Sequence, residues 1–159
     1  MAYWLLKSEP DTYSWDDLCR ESSGVGRWDG VRNYQARLHL RGMKKGDLAL
    51  FYHSVIKPTA IAGVMEIVNE AYTDPVQFDK DSPYYDAKST PEKPRWDCVE
   101  VRPKYPFNPF ISSDELKAKE GLKGMVLFQN SRLSVQPVTP AEWKIIHGLR
   151  KVKLAKVRE

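Results

Sequence analysis

No stretch of this sequence can run far as a helix. Every segment with a helix start signal meets a stop within about a dozen residues. Ser14 can cap a short helix to about residue 20, with Asp16 and Asp17 near its positive end. Residues 31–41 form another, stopped by Gly42. Asp74-Pro75 reads as an N-cap with proline at the first helical position, and Ser82-Pro83 ends the short helix begun there. Ser112 with Glu115, and Thr139 with Glu142, are capping boxes; Gly148 closes the second helix. Between these lie apolar segments of strand length at 2–7, 47–54, 59–69, 95–102 and 132–138. The order is β-α-α-β-β-α-β-α-β-α. No long βαβ unit with a glycine-rich turn appears, which argues against a doubly wound nucleotide-binding fold. A mixed α+β fold is expected, with helices around a strongly curved sheet or small barrel.

The 159 residues suit one domain, and no internal repeat or interior linker divides them. The net charge of +4 hints at an anionic partner. Residues 1–149 hold 20 basic and 20 acidic residues, so the whole excess sits in residues 150–159 (Arg150, Lys151, Lys153, Lys156 and Arg158 against Glu159). One domain over 1–149 with a basic tail over 150–159 is therefore expected. Within the body, residues 27–57 carry seven Lys/Arg against two acids, and residues 58–100 carry four against nine. Such polarity predicts a basic binding face on a neutral body.

Several classes are excluded. Cys19 and Cys98 form no CxxC pair, so neither a disulfide framework nor a zinc ribbon is expected, and both read as small core residues. No 18-residue apolar run predicts a membrane span. The N-terminal residues lack the basic region and cleavage site of a signal peptide, so a cytoplasmic protein is expected, or a nuclear one in a nucleated cell. His39, His53 and His147 are scattered, and no HExxH or phosphate loop occurs. No metal, cofactor or catalytic residue is expected. Lys7 and Glu9 share a strand face, where a surface ion pair is the simpler reading than acid–base catalysis.

Aromatic residues stand out instead. Five Trp and eight Tyr are present, many beside polar or basic groups: Trp28-Asp29, Arg32 to Tyr34, Phe51 to His53, Tyr84-Tyr85 and Arg95-Trp96. Aromatic faces beside hydrogen-bonding side chains suit a flat heterocycle, though the same residues can staple a small core with wet edges.

The motif blocks are specific. They are YWLLKSEP at 3–10 with YSW at 13–15, WDGVRNYQAR at 28–37, MKKGDLALFYHS at 43–54, SPYYD at 82–86, PRWD at 94–97 and RLSVQPV at 132–138. In this order they resemble the EVE domain family over nearly residues 1–147. His39 stands where many members have Asn. The resemblance implies a PUA-like fold, a curved, mostly antiparallel β-barrel with flanking short helices, similar to the YTH domains that hold a methylated adenine in an aromatic cage. It implies a nucleic-acid-binding module that reads a modified base, methylated cytosine or adenine, from a single strand or a flipped nucleotide. Such a protein would act as a monomer or weak dimer.

Carried over residue by residue, the pocket would lie at the exit of the first strand, at Lys7, Ser8, Glu9 and Pro10, against a stacking wall at Trp28. Asn33 would read a base edge. Tyr34, Phe51, Tyr52, His53 and Ser54 would add wall and polar groups, and Trp96 would be a lid. Arg32, Arg37 and Arg132 would hold phosphates. An alternative is a small hydrolase of modified nucleosides, because related PUA-like families contain amidohydrolases with a Lys, a hydroxyl residue and a Glu. Lys7, Ser8 and Glu9 have those side chains, but neighbours on a strand face opposite ways. A third is a protein-interaction module whose tail binds RNA.

Overall fold

The computed structural model describes residues 1–150. Lys151 to Glu159, most of the expected basic tail, lie outside the described residues. Six strands form one sheet: β1 (Tyr3–Ser8), β2 (Gly26–Trp28), β3 (Leu48–His53), β4 (Ala60–Thr73), β5 (Asp97–Ser112) and β6 (Val135–Val138). Their order across the sheet is β2-β5-β4-β3-β1-β6. Only β1 and β3 run parallel, from Tyr3↔Leu48 to Ser8↔His53; the other described pairs are antiparallel.

The expected mixed, mostly antiparallel architecture is present, but the barrel is not. The sheet stays open among the described residues, with β2 and β6 as its edges. Both edges are short, three and four residues, and β6 carries Pro137, which has no N–H to offer a further strand. Curvature comes from β4 and β5, whose pairing shifts register at four places.

The apolar residues of β1 and β3 alternate between two core clusters, one on each face of the sheet. Trp4, Leu6, Ala49 and Phe51 join one cluster, with Trp15 and Leu18 of α1 (Trp15–Cys19) and Ala36 and Leu40 of α2 (Tyr34–Gly42). Leu5, Leu48, Leu50 and Tyr52 join the other, with Leu116 of α3 (Ser113–Lys117), Leu127 of α4 (Val126–Gln129) and Trp143 and Ile146 of α5 (Pro140–Gly148). Helices thus cover both faces of the sheet. The capping boxes expected at Ser112 and Thr139 form, and the cap expected at Ser14 is completed into a box by Asp17. Cys98 is buried as expected; Cys19, at the last turn of α1, is exposed. No helix among the described residues is long and apolar enough to cross a membrane.

The 74–96 connection is ordered by two buried polar side chains. Gln77, fully buried, donates to the carbonyls of Asp74 and Trp96 and accepts from the amides of Arg95 and Trp96. Asp74, also fully buried, accepts from Gly30 N, Arg32 Nη1 and Val76 N at 2.9, 2.9 and 2.8 Å. It ties the residues after β2 to the segment after β4.

Candidate functional site

The carboxyl ends of the parallel pair β1 and β3 open into a cleft of about 1060 Å³. Lys7, Ser8, Glu9, Tyr52 and Ser54 line it where the two strands end. One wall is built by β2 and the residues just after it: Arg27, Trp28, Asp29, Gly30 and Arg32, with Tyr13, Glu21 and Tyr84. Another part of the lining comes from α3, α4 and the loop before β6: Ser113, Lys117, Leu127, Phe128, Ser131, Arg132 and Ser134.

Trp28 is almost fully buried, and its position is determined by rings packed edge-on. The Phe51 ring lies 5.0 Å away at 81° and the Tyr13 ring 6.3 Å away at 86°. Tyr13 donates to Glu21 Oε1 at 2.8 Å, and burial together with that bond pushes its phenol well above its ordinary pKa. Arg27 pairs with Asp29 at 2.8 Å. Gly30 has φ of +77°, and a β-carbon there would meet the Tyr84 ring at 2.9 Å; glycine permits both the turn and the close approach.

Lys7 Nζ donates to Ser131 O at 2.6 Å and lies over the Tyr52 ring. Burial lowers its pKa. The expected Lys7–Glu9 ion pair does not form among the described residues, because the ammonium turns to the loop before β6. Ser8 Oγ donates to Tyr13 O at 2.6 Å. Its proton points at a carbonyl and not at a base, so Lys7, Ser8 and Glu9 lack the arrangement of an activated nucleophile.

Lys7, Ser8, Glu9, Trp28, Tyr52, Ser54, Arg32 and Arg132 therefore meet in one cleft. The remaining expected site residues lie off it. Phe51 is fully buried beneath Trp28. His53 accepts from Trp15 N at 3.0 Å, and burial lowers its pKa, so a neutral ring fixes the start of α1. Asn33 caps α2, its side-chain oxygen accepting from Ala36 N. Tyr34 stacks on Trp96 at 4.9 Å, and Trp96 is pinned by its indole N–H to Asp86. Trp96 is buried and does not line the cleft. Pro10 does not line the cleft either.

Two of the three arginines expected on phosphate are held by the protein. Arg32 binds Asp74 and donates twice to Tyr84 O. Arg37 lies 4.7 Å over the Tyr34 ring and donates to Arg95 O. Arg41 pairs with Asp97. The basic stretch 27–57 and the acidic stretch 58–100 thus partly neutralise each other, and the expected basic face is weaker than the linear count suggests. Exposed Arg132 remains at the cleft without an ion pair among the described residues.

Tyr13, Glu21, Arg27, Asp29, Tyr84, Lys117 and Phe128 line the cleft without having been expected there. Asp29 and Tyr84 belong to motif blocks and were legible as neighbours of named residues. Lys117 and Phe128 carried no signal; tertiary packing alone brings α3 and α4 to the cleft.

The EVE domain family model matches residues 2–149. Human thymocyte nuclear protein 1 is 42% identical over 165 residues, spanning 93% of this chain and 73% of its own length. A crystal structure of human THYN1 protein in complex with 5-methylcytosine containing DNA superposes with a TM-score of 0.92 at 41% identity, covering 96% of this chain and 99% of that one. The YTH domain of Zygosaccharomyces rouxii MRB1 protein, solved in complex with N6-methyladenosine RNA, matches with a TM-score of 0.53 at 16% identity over 93% and 85% of the two chains. That last likeness is one of fold. The resemblance carried by the motif blocks is thereby confirmed: this chain belongs to the EVE domain family.

Proposed function

We propose that this protein is a non-catalytic nucleic-acid-binding module that reads a methylated base, cytosine or adenine, in the cleft at the ends of β1 and β3. The observation that carries the reading is the rigid Trp28 wall beside groups able to bond a base edge: the Ser8 hydroxyl and the carboxylates of Glu9, Glu21 and Asp29. Carboxylates accept from the exocyclic amine that cytosine and adenine share. The human THYN1 structure with methylated DNA supports the same reading. The base would enter from a single strand or by flipping, which costs a few kcal/mol from a duplex.

A fitted methyl group discriminates by ~1–3 kcal/mol, so selectivity of about ten- to two-hundred-fold is expected. The test is the ratio of Kd for one oligonucleotide with and without 5-methylcytosine or N6-methyladenine, at stated salt. Trp28→Phe, which keeps the core filled, should shrink that ratio. Equal affinity for every modification, unchanged by the substitution, would end the proposal.

A further inference from the structure

The cleft is larger than a base needs. Its 1060 Å³ lies just above the ~300–1,000 Å³ range that encloses drug-sized ligands. Its two sides also differ in chemistry. The Trp28 side is aromatic and acidic, and its arginines are already neutralised, Arg27 by Asp29 and Arg32 by Asp74. The other side has a partly buried phenyl ring, Phe128, and two exposed cations, Lys117 and Arg132. Neither cation makes an ion pair among the described residues. Lys7, also without an ion pair among the described residues, turns its ammonium to Ser131 O, so uncompensated positive charge in the cleft is concentrated on the side of α3, α4 and the loop before β6.

A nucleotide whose base lies against Trp28 remains covalently joined to its neighbour. On that reading of the site, we infer that the α3–α4 side is a second nucleotide subsite. Lys117 and Arg132 hold the phosphate next to the read base, and Phe128 stacks the adjacent base. The ligand of the whole cleft is then a dinucleotide step of single-stranded nucleic acid. Stacking on one aromatic ring with a phosphate contact is a common way to hold a single strand without reading its sequence.

The test compares a nucleoside, which lacks the phosphate, with a dinucleotide containing the same base, each methylated and unmethylated, by competition against a labelled oligonucleotide. The dinucleotide should bind at least ~tenfold more tightly. Lys117→Gln and Phe128→Leu, one exposed and one volume-conserving, should each cut that gain severalfold and leave the methyl ratio unchanged. Lys117→Gln should also flatten the dependence of log Kd on log salt by about 0.7. No gain, or a gain that neither substitution reduces, would overturn the second subsite while leaving the base reading intact. A preserved gain with a methyl ratio of one would do the reverse.

Discussion

At the scale of single residues, Asp74 does more than its place in the chain suggests. As sequence it is an N-cap before proline, and it does accept from Val76 N. Its other oxygen holds Gly30 N and Arg32, so it also sets the wall that carries Trp28. That role was illegible because the partners lie more than forty residues away. Breaking a buried pair by removing one partner typically costs ~3–5 kcal/mol, and the Arg32 side chain, 20% exposed, puts Asp74→Asn near the lower end. Urea unfolding of Asp74→Asn, Arg32→Gln and the double variant should show the double variant less damaged than the sum, with a coupling of ~1–3 kcal/mol. Additive losses would mean that the pair does not hold the wall.

At the scale of elements, local signals read well and long-range ones did not. The caps at Ser14, Ser112 and Thr139 are each complete in a few consecutive residues, and all three formed. Asn33, which the resemblance places at a base edge, is the N-cap of α2, whose first residue is Tyr34 and not residue 31. The strand expected at 95–102 continues to Ser112 through Pro103, Pro106 and Pro109. Prolines ordinarily end a strand, but β2 covers only Val99 to Val101 of β5, so beyond them one side of β5 has no ladder to lose. Arg150, counted with the tail, is an anchor of the domain. It donates to the carbonyls of Pro109 and Phe110 and pairs with Glu115 of α3 at 2.9 Å. That guanidinium and the capping amide of Ser112 lower the Glu115 pKa from 4.5 to about 2. A carboxylate with a depressed folded pKa stabilises above its unfolded value and loses that contribution as pH falls from about 4.5 through about 2. The pair is partly exposed, so the effect is at most ~1 kcal/mol, or about 2–4 °C in Tm. Thermal unfolding at pH 7 should show that loss for Arg150→Ala and none for removal of residues 151–159. The gap between wild type and Arg150→Ala should narrow towards pH 2.5. A gap independent of pH would assign the anchoring to the two carbonyl bonds alone.

At the scale of the whole molecule, the charge argument changes most. The body is neutral, and its basic and acidic stretches are not two faces, since Arg32 and Arg41 pair with Asp74 and Asp97. Within the cleft, the exposed cations without an ion pair among the described residues are Lys117 and Arg132; exposed lysines such as Lys44 and Lys45 lie outside it. The motif blocks drew notice to two parts of the cleft lining, the first-strand exit and Trp28. They could not separate residues that face the cleft from those that support it, because Phe51 and His53 lie in the same block as Tyr52 and Ser54, which line it. The central claim is that the cleft, and no other surface, receives the modified base. Amide proton–nitrogen correlation spectra recorded while a methylated single-stranded oligonucleotide is added test it most directly. The account predicts shifts confined to the cleft, at Ser8, Glu21, Trp28, Gly30 and Ser131, with smaller shifts for the unmethylated strand. Shifts centred on another face, such as Lys44 and Lys45, or the same shifts for both strands, would contradict it.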